Sequence, residues 1–201
     1  MYLSRIMLDL SRKETMKALA TPSHFHGAIE NADFDSRSRK LWRLDKFAGS
    51  ECLLILSEEC LDFSLTAKQF GYSENGETKN YDAFLENITE GSQWHFRLCA
   101  NPSFRKLGQG RIIAHIGKDY QHQWLTEHAP KNGFILDEYC VTNTKWYSFR
   151  KGREQNHVKI LAVTYEGILT VENVVLFRHA LTHGIGRGKA YGMGLLTITR
   201  K

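Results

Sequence analysis

The sequence predicts an α+β protein of two tandem units, each an antiparallel sheet with helices on one face. Three observations carry this. A chain of 201 residues, at about 150 residues per domain, allows one large domain or two small ones. A strand–helix–strand–strand order occurs in each half, with helices returning to strands as they do when they cover a sheet. No low-complexity tract or long Pro/Ser linker separates the halves, so two closely packed domains are expected, residues 1–105 and 106–201. An apolar fraction of 42% and a charged fraction of 24% are globular values and exclude a disordered or fibrous chain.

The elements follow in order. Tyr2, Ile6, Leu8 and Leu10 share one face of a first strand, with Arg5 and Asp9 on the other. A helical stretch follows, and Thr21-Pro22 marks a start inside it. Threonine can cap free amides, and proline at the first helical position gives up an amide that has no partner anyway. Phe25, Ala28, Ile29 and Ala32 then recur at helical spacing and should face a core. Residues 41–46 and 52–57 read as strands, 71–80 as a polar loop and 81–88 as a short helix. Trp94, Phe96, Leu98 and Ala100 alternate as a strand stopped by Asn101-Pro102. A short strand over 111–116 leads to a helix over 118–128, with Tyr120, Trp124 and Leu125 on one stripe, ended by Asn132-Gly133. Strands are expected at 134–141, 146–150 and 158–165, with a tight turn at Glu166-Gly167 into 168–171. Asn173 can cap a helix through His183, which Gly184 should stop in a left-handed conformation, and 195–199 is the last strand.

Charge narrows the partner. Residues 1–100 carry 12 basic and 15 acidic side chains, net −3, and residues 101–201 carry 15 and 7, net +8. No acid follows Glu172, yet Arg178, Arg187, Lys189, Arg200 and Lys201 do. A basic half on a balanced protein points to a polyanion, nucleic acid before an anionic membrane surface. The longest apolar runs, such as residues 52–56, fall far short of the ~20 residues that span a bilayer. Met1-Tyr2-Leu3-Ser4-Arg5 has no apolar signal core, so a cytoplasmic protein is expected. Cysteines at 52, 60, 99 and 140 form no Cys-x-x-Cys pair and read as buried reduced thiols.

Five of the 16 glycines fall between Gly184 and Gly194. Glycine lets amides turn toward phosphate oxygens, and Arg187, Lys189 and Tyr191 are interleaved with Gly186 and Gly188. The cluster runs from helix into strand, so it is not a dinucleotide fingerprint. It lacks the Gly-Lys-Ser/Thr of a Walker loop, so no nucleotide cofactor is implied. The competing explanation is a turn that lets helix and strand pack tightly. A second cluster, Lys145-Trp146-Tyr147-Ser148-Phe149-Arg150-Lys151-Gly152-Arg153, mixes cations for phosphates with rings on which bases stack. The same pattern also describes core aromatics beside a solvated hairpin. Arg97, Arg105 and Lys106 form a third basic candidate. His24 and His26 lie in the first turns of the helix opened by Thr21-Pro22, an end whose partial positive charge favours phosphate. An imidazole there can move protons at neutral pH, and Ser23 lies one helical step before His26. His24 and His26 face different ways on a helix, so no metal site and a metal-independent reaction are expected.

Several segments fall in an order shared with a known family. They are Met1-Tyr2-Leu3-Ser4-Arg5, Pro22-x-x-x-His26, Phe96-Arg97-Leu98-Cys99-Ala100-Asn101-Pro102, Trp124-Leu125 before Gly133-Phe134, and Glu166-Gly167-x-Leu169. The most specific segment is Gly184-Ile185-Gly186-x-Gly188-Lys189-Ala190-Tyr191-Gly192-Met193-Gly194-Leu195-Leu196. Over essentially its whole length the chain resembles the CasE family, CRISPR precursor-RNA endoribonucleases of type I-E Cascade. The resemblance implies tandem ferredoxin-like, RRM-type domains. It also implies cleavage beside the hairpin of the CRISPR repeat, the mature crRNA being retained with other Cascade subunits. It assigns the catalytic histidine to His26, and places Ser23 where relatives carry tyrosine, leaving Ser23, His24 or neither in the tyrosine's role. Basic residues near the site map to Arg150 and Lys151, and Cys99 stands where many relatives have arginine. Metal-free attack by the RNA 2′-hydroxyl, with a 2′,3′-cyclic phosphate and a 5′-hydroxyl as products, is the expected chemistry. A non-catalytic RNA-hairpin-binding subunit and a small anion- or nucleotide-binding enzyme using the glycine loop are the competing classes.

Overall fold

β1 (Tyr2–Met7) lies inside the first sheet, bonded antiparallel to β3 (Ser50–Ser57) on one side and to β4 (Glu77–Asn80) on the other. β2 (Lys40–Phe47) completes the order β2-β3-β1-β4. The computed structural model that gives this arrangement describes residues 1–32, 38–72, 76–105, 112–151 and 156–201, the side chains of 151 and 156 excepted. Ala48 and Gly49 join β2 to β3, both at positive φ (49° and 82°), the backbone twist that suits a two-residue hairpin.

The inward residues of the sheet meet three helices, α1 (Lys13–Ala20), α2 (Ser23–Glu30) and α3 (Ser64–Phe70). Ile6, Leu8, Trp42, Leu53 and Ile55 pack with Ala18, Phe25, Ile29, Ala67 and Phe70 in one buried core. The Phe25 ring lies 5.8 Å from Trp42 and 4.9 Å from Phe70, tilted to both, so the apolar stripe of α2 anchors the helix. At about 1.5–3 kcal/mol for each large side chain buried, Phe25 and Ile29 fix which face of α2 is left outward. Thr21 does not cap α2 through its side chain. Its carbonyl accepts the His24 amide at 3.0 Å, and Pro22 stands at the cap position.

Two expectations for this region change. Residues 71–80 are not all loop, because Glu77–Asn80 pairs with β1 in register Arg5↔Glu77 to Tyr2↔Asn80. Every side chain of β4 is exposed, so no apolar alternation marks it. Its pairing is backed by Ser4–Thr78 at 2.9 Å and Arg5–Glu77 at 2.5 Å. Helix α3, unmarked in the sequence reading, starts where the Asp62 carboxylate accepts the Ser64 amide and hydroxyl. α4 (Asp82–Glu86) follows β4.

The second sheet has the order β10-β5-β9-β8, from β5 (Gln93–Ala100), β8 (Phe134–Lys151), β9 (Asn156–Val171) and β10 (Leu196–Arg200). Because β5 pairs with β9 and β10, it belongs to this sheet. The first unit's main stretch therefore ends at Glu86 rather than near residue 105. The first unit also takes in Phe149–His157 and Ala190–Gly192, and the second comprises Asn87–Ser148, Val158–Lys189 and Met193–Lys201. β6 (Ser103–Arg105) and β7 (Ile112–Ala114) form a separate pair. α5 (Lys118–His128) is tied to β9 by the buried Tyr165 hydroxyl, which donates to the Gln121 carbonyl at 2.9 Å. α6 (Val174–His183) packs Phe177 edge-on to Phe134 at 5.7 Å.

β8 and β9 each run unbroken where two strands were expected, in β9 with a tight turn between them. Gly167 is not a turn glycine. A Cβ there would stand 2.0 Å from the Glu138 carbonyl oxygen and 2.5 Å from Tyr139 Cα, so its role is close approach of two backbones. Gly184 does end α6, but with φ 74° and ψ 159°, outside the left-handed helical well. All four cysteines are free, yet only Cys52 is buried, while Cys60 and Cys140 are exposed. Desolvation pushes the Cys52 thiol up to about 11, which keeps it protonated and inert. No helix among the described residues is long and apolar enough to cross a membrane.

Candidate functional site

In the first unit, α2 sets the candidate reaction centre. Phe25 and Ile29 point into the core with no exposure. Helical geometry then carries His24 outward and leaves His26 at the edge of the buried face, with 31% of its side chain exposed. Ser23, one turn before His26, is half-buried. His26 Nδ1 lies 3.6 Å from Glu30 Oε1, one turn on. The other Glu30 oxygen is 3.7 Å from Lys40 Nζ, on β2. Lys40 Nζ also donates to the Ser38 carbonyl at 3.2 Å, and only 1% of the lysine side chain is exposed. A line of imidazole, carboxylate and buried ammonium thus runs from the helix surface to the sheet.

Strand alternation explains the next candidate. Phe149 turns inward, 7% exposed, so its neighbour Arg150 turns out. The Phe149 ring meets Tyr191 edge-on at 5.4 Å, packing the short turn Lys189–Tyr191 against the end of β8. The first unit therefore holds Ser23, His24, His26, Arg150 and Tyr191 together. Lys151 is the last residue of β8, and its side chain is not described. Lys106 and Arg153 lie outside the described residues.

The remaining candidates belong to the second unit. Arg97 on β5 faces Glu166 of β9 in register, with Nη1 2.5 Å from Oε1. The Thr142 hydroxyl donates to that same carboxylate oxygen at 3.2 Å. Arg97 is thus engaged across the sheet, while Arg105 ends β6 and is exposed. The glycine cluster has positive φ at Gly184, Gly186, Gly188, Gly192 and Gly194. Arg187 pairs with Asn101 through an isolated bridge, and the Gly194 amide donates to the Cys99 carbonyl at 2.7 Å. The loop is therefore stitched to the end of β5, with Gly186 and Arg187 exposed and Gly188 and Lys189 half-buried. Packing accounts for part of its composition: a Cβ on Gly186 would lie 2.9 Å from the Trp124 ring.

The aromatics of the second cluster divide. Phe149 is core, whereas Trp146 is 40% exposed, with Lys159 Nζ 4.8 Å above its ring. Lys145 Nζ sits 4.6 Å from the Tyr147 ring. Sequence reasoning missed Glu30 and Lys40. The i,i+4 spacing of His26 and Glu30 was available as a signal, but the burial of Lys40 is a tertiary fact. No group of three or more His, Cys, Asp or Glu among the described residues could hold a metal ion.

Chemically, the first unit offers an imidazole at the outer edge of a short helix, with exposed Arg150 in the same unit. The second offers an exposed arginine on a glycine-rich loop. Such groups suit proton transfer and phosphate contact. Comparison with known proteins agrees in kind. The sequence model of the family described as "CRISPR associated protein" matches residues 1–200. The chain is 26% identical over 212 aligned positions to the CRISPR-associated endoribonuclease Cse3 of Thermus thermophilus, covering 98% of this chain and 99% of that one. It superposes on a structure of CRISPR endoribonuclease Cse3 bound to a 19-nucleotide RNA with a TM-score of 0.83, at 25% identity and 98% coverage of each chain. It also superposes on a chain from a structure titled as a CRISPR RNA-guided surveillance complex, pre-nicking, with a TM-score of 0.72, 22% identity and full coverage of both.

Proposed function

The chain belongs to the CRISPR-associated protein family, and from that premise we propose that it is a cytoplasmic endoribonuclease that cuts CRISPR repeat RNA beside the repeat hairpin and holds the mature crRNA within Cascade. The observation that carries this is the end-to-end likeness to Cse3 with RNA bound, at a TM-score of 0.83. The tandem ferredoxin-like fold supplies two antiparallel sheets with helices.

The reaction is an internal transesterification. The 2′-hydroxyl oxygen of the nucleotide before the cut forms a bond to phosphorus, and the bond from phosphorus to the next nucleotide's 5′-oxygen breaks. The 2′-hydroxyl loses its proton and the departing oxygen gains one, giving a 2′,3′-cyclic phosphate and a 5′-hydroxyl. The nucleophile belongs to the substrate, so no metal-activated water is needed. His26 transfers a proton at one of the two oxygens. Ser23 takes the position of the family's tyrosine, and Ser23 or neighbouring His24 is the candidate to assist. Arg150, Lys151 and Lys189 are the cations for charge developing on the phosphate. Arg97, Arg105, Lys106, Arg153, Arg187 and Tyr191, with the backbone of Gly186 and Gly188, are proposed contacts along the RNA. A single proton-transfer group contributes roughly 10²–10⁴-fold, so alignment of the strand for in-line attack must supply much of the rest.

The test is a hairpin repeat RNA carrying a 2′-deoxy nucleotide at the cut. It should bind with normal affinity and remain whole, and chelator should leave cleavage of the all-ribose RNA unchanged. Cleavage of the deoxy substrate would sink the mechanism. Binding without cleavage of the all-ribose RNA would select the non-catalytic hairpin-binding subunit, which Ser23 in place of tyrosine favours.

A further inference from the structure

We propose that Glu30 is a positioning residue for His26, held in place from behind by Lys40. The inference rests on the reading of His26 as the proton-transfer group. An imidazole can present either nitrogen, and which one carries the proton is set by the neighbour of the other. Here Nδ1 faces a carboxylate oxygen at 3.6 Å. A proton on Nδ1 is attracted to that oxygen, whereas a lone pair there would be repelled. The lone pair is thereby left on Nε2, on the opposite edge of the ring. At 3.6 Å the contact is an ion-pair distance rather than a made hydrogen bond, as is common for catalytic contacts before substrate binds.

An i,i+4 pair on a helix is usually a modest surface interaction. Lys40 is what separates this pair from that class. A buried ammonium is costly unless it is paired, and this one, with 1% of its side chain exposed, has Glu30 Oε2 at 3.7 Å and the Ser38 carbonyl at 3.2 Å. The carboxylate is therefore fixed from two sides, by a lysine on a strand of the sheet and by the histidine it orients. Glu30 touches no reacting atom; it acts through His26.

The experiment measures single-turnover cleavage of hairpin repeat RNA by wild type, Glu30→Gln, His26→Ala and the double variant. Affinity for the 2′-deoxy hairpin and thermal melting are measured alongside. Glu30→Gln keeps the side-chain length and an oxygen acceptor for Lys40, so the fold should survive. The expected loss of rate for Glu30→Gln is on the order of tenfold, well short of the ~10⁴-fold for neutralising a buried triad carboxylate, since Glu30 is 43% exposed. Affinity for the deoxy hairpin should not move, and Glu30→Gln should add nothing in the His26→Ala background. A wild-type rate for Glu30→Gln beside a crippled His26→Ala overturns the positioning role, and so do losses that multiply independently. A fully active His26→Ala instead overturns the underlying reading of the histidine.

Discussion

Gly192 shows at the scale of one residue how much of the glycine cluster is packing. Its φ is 78°, and a Cβ there would stand 2.6 Å from the Trp42 ring, in the core of the first unit. The ring is buried and packs against Phe25. Gly188 is equally strained at φ 86°, but its nearest obstacle is the Met193 sulfur at 2.9 Å, with the Ile160 methyl at 3.0 Å. Both are ends of flexible side chains, and methionine readily refills irregular space. Gly192→Ala should therefore cost about 2–4 kcal/mol, combining left-handed strain with overpacking, and Gly188→Ala noticeably less, read from the urea midpoint at constant m. Equal losses would mean that backbone strain alone explains the cluster. The sequence showed that these positions need glycine, and it left phosphate contact and tight packing both open. At Gly192 packing is the reason, since a buried tryptophan from residue 42 is invisible to any window around residue 192. His26 was legible because the Thr21-Pro22 start and the apolar stripe place it on a helix margin. The pairing of Glu30 with Lys40 was not, because it depends on which strand the helix packs against.

At the scale of elements, amphipathic segments were legible and edges were not. β5 reads out as exposed and buried residues in strict alternation, so Trp94 to Ala100 could be found from sequence. β4 has no buried side chain, and its existence depends on backbone bonds to β1 that leave no pattern. The sequence cuts β9 in two because Gly167 looks like a turn until the partner backbone it touches is known, and β8 because residues 142–145 carry no apolar side chain. α6 is the counter-example, in which a local signal did its expected work. The Asn173 side-chain oxygen accepts the Leu176 amide at 2.9 Å. Asn173→Ala removes that bond and leaves its backbone carbonyl in place, so about 1 kcal/mol of stability should be lost. Asn173→Ser or Asn173→Asp should restore most of it in the same melting experiment. A loss confined to the alanine variant identifies the cap. An equal loss in all three would place the effect in the Asn173 backbone, whose carbonyl also receives the Phe177 amide.

Across the whole molecule, charge is arranged by half, net −3 before residue 101 and +8 after it. Overall charge of this kind steers any polyanion from a distance, whereas direct phosphate contacts release counterions and so set the salt dependence of affinity. The two effects separate in a salt titration. Each phosphate contact contributes a slope of about −0.7 to −0.9 in log K against log salt on nucleic acids. Replacing Arg150, Arg187 and Lys189 together by alanine should flatten the slope by about 2–3 while leaving preference for the hairpin over unrelated RNA largely intact. Lys46 is the matched control, because it is 71% exposed and paired with Glu51 at 3.6 Å in the acidic half. Lys46→Ala changes net charge by one without removing a proposed contact, so its slope should match wild type. If the triple variant and Lys46→Ala lose affinity in simple proportion to charge removed, the basic half attracts RNA without gripping it. If only the triple variant flattens the line, the cations at the end of β8 and in the glycine loop are the grip. The charge asymmetry first visible in the sequence then reflects local contacts rather than a diffuse field.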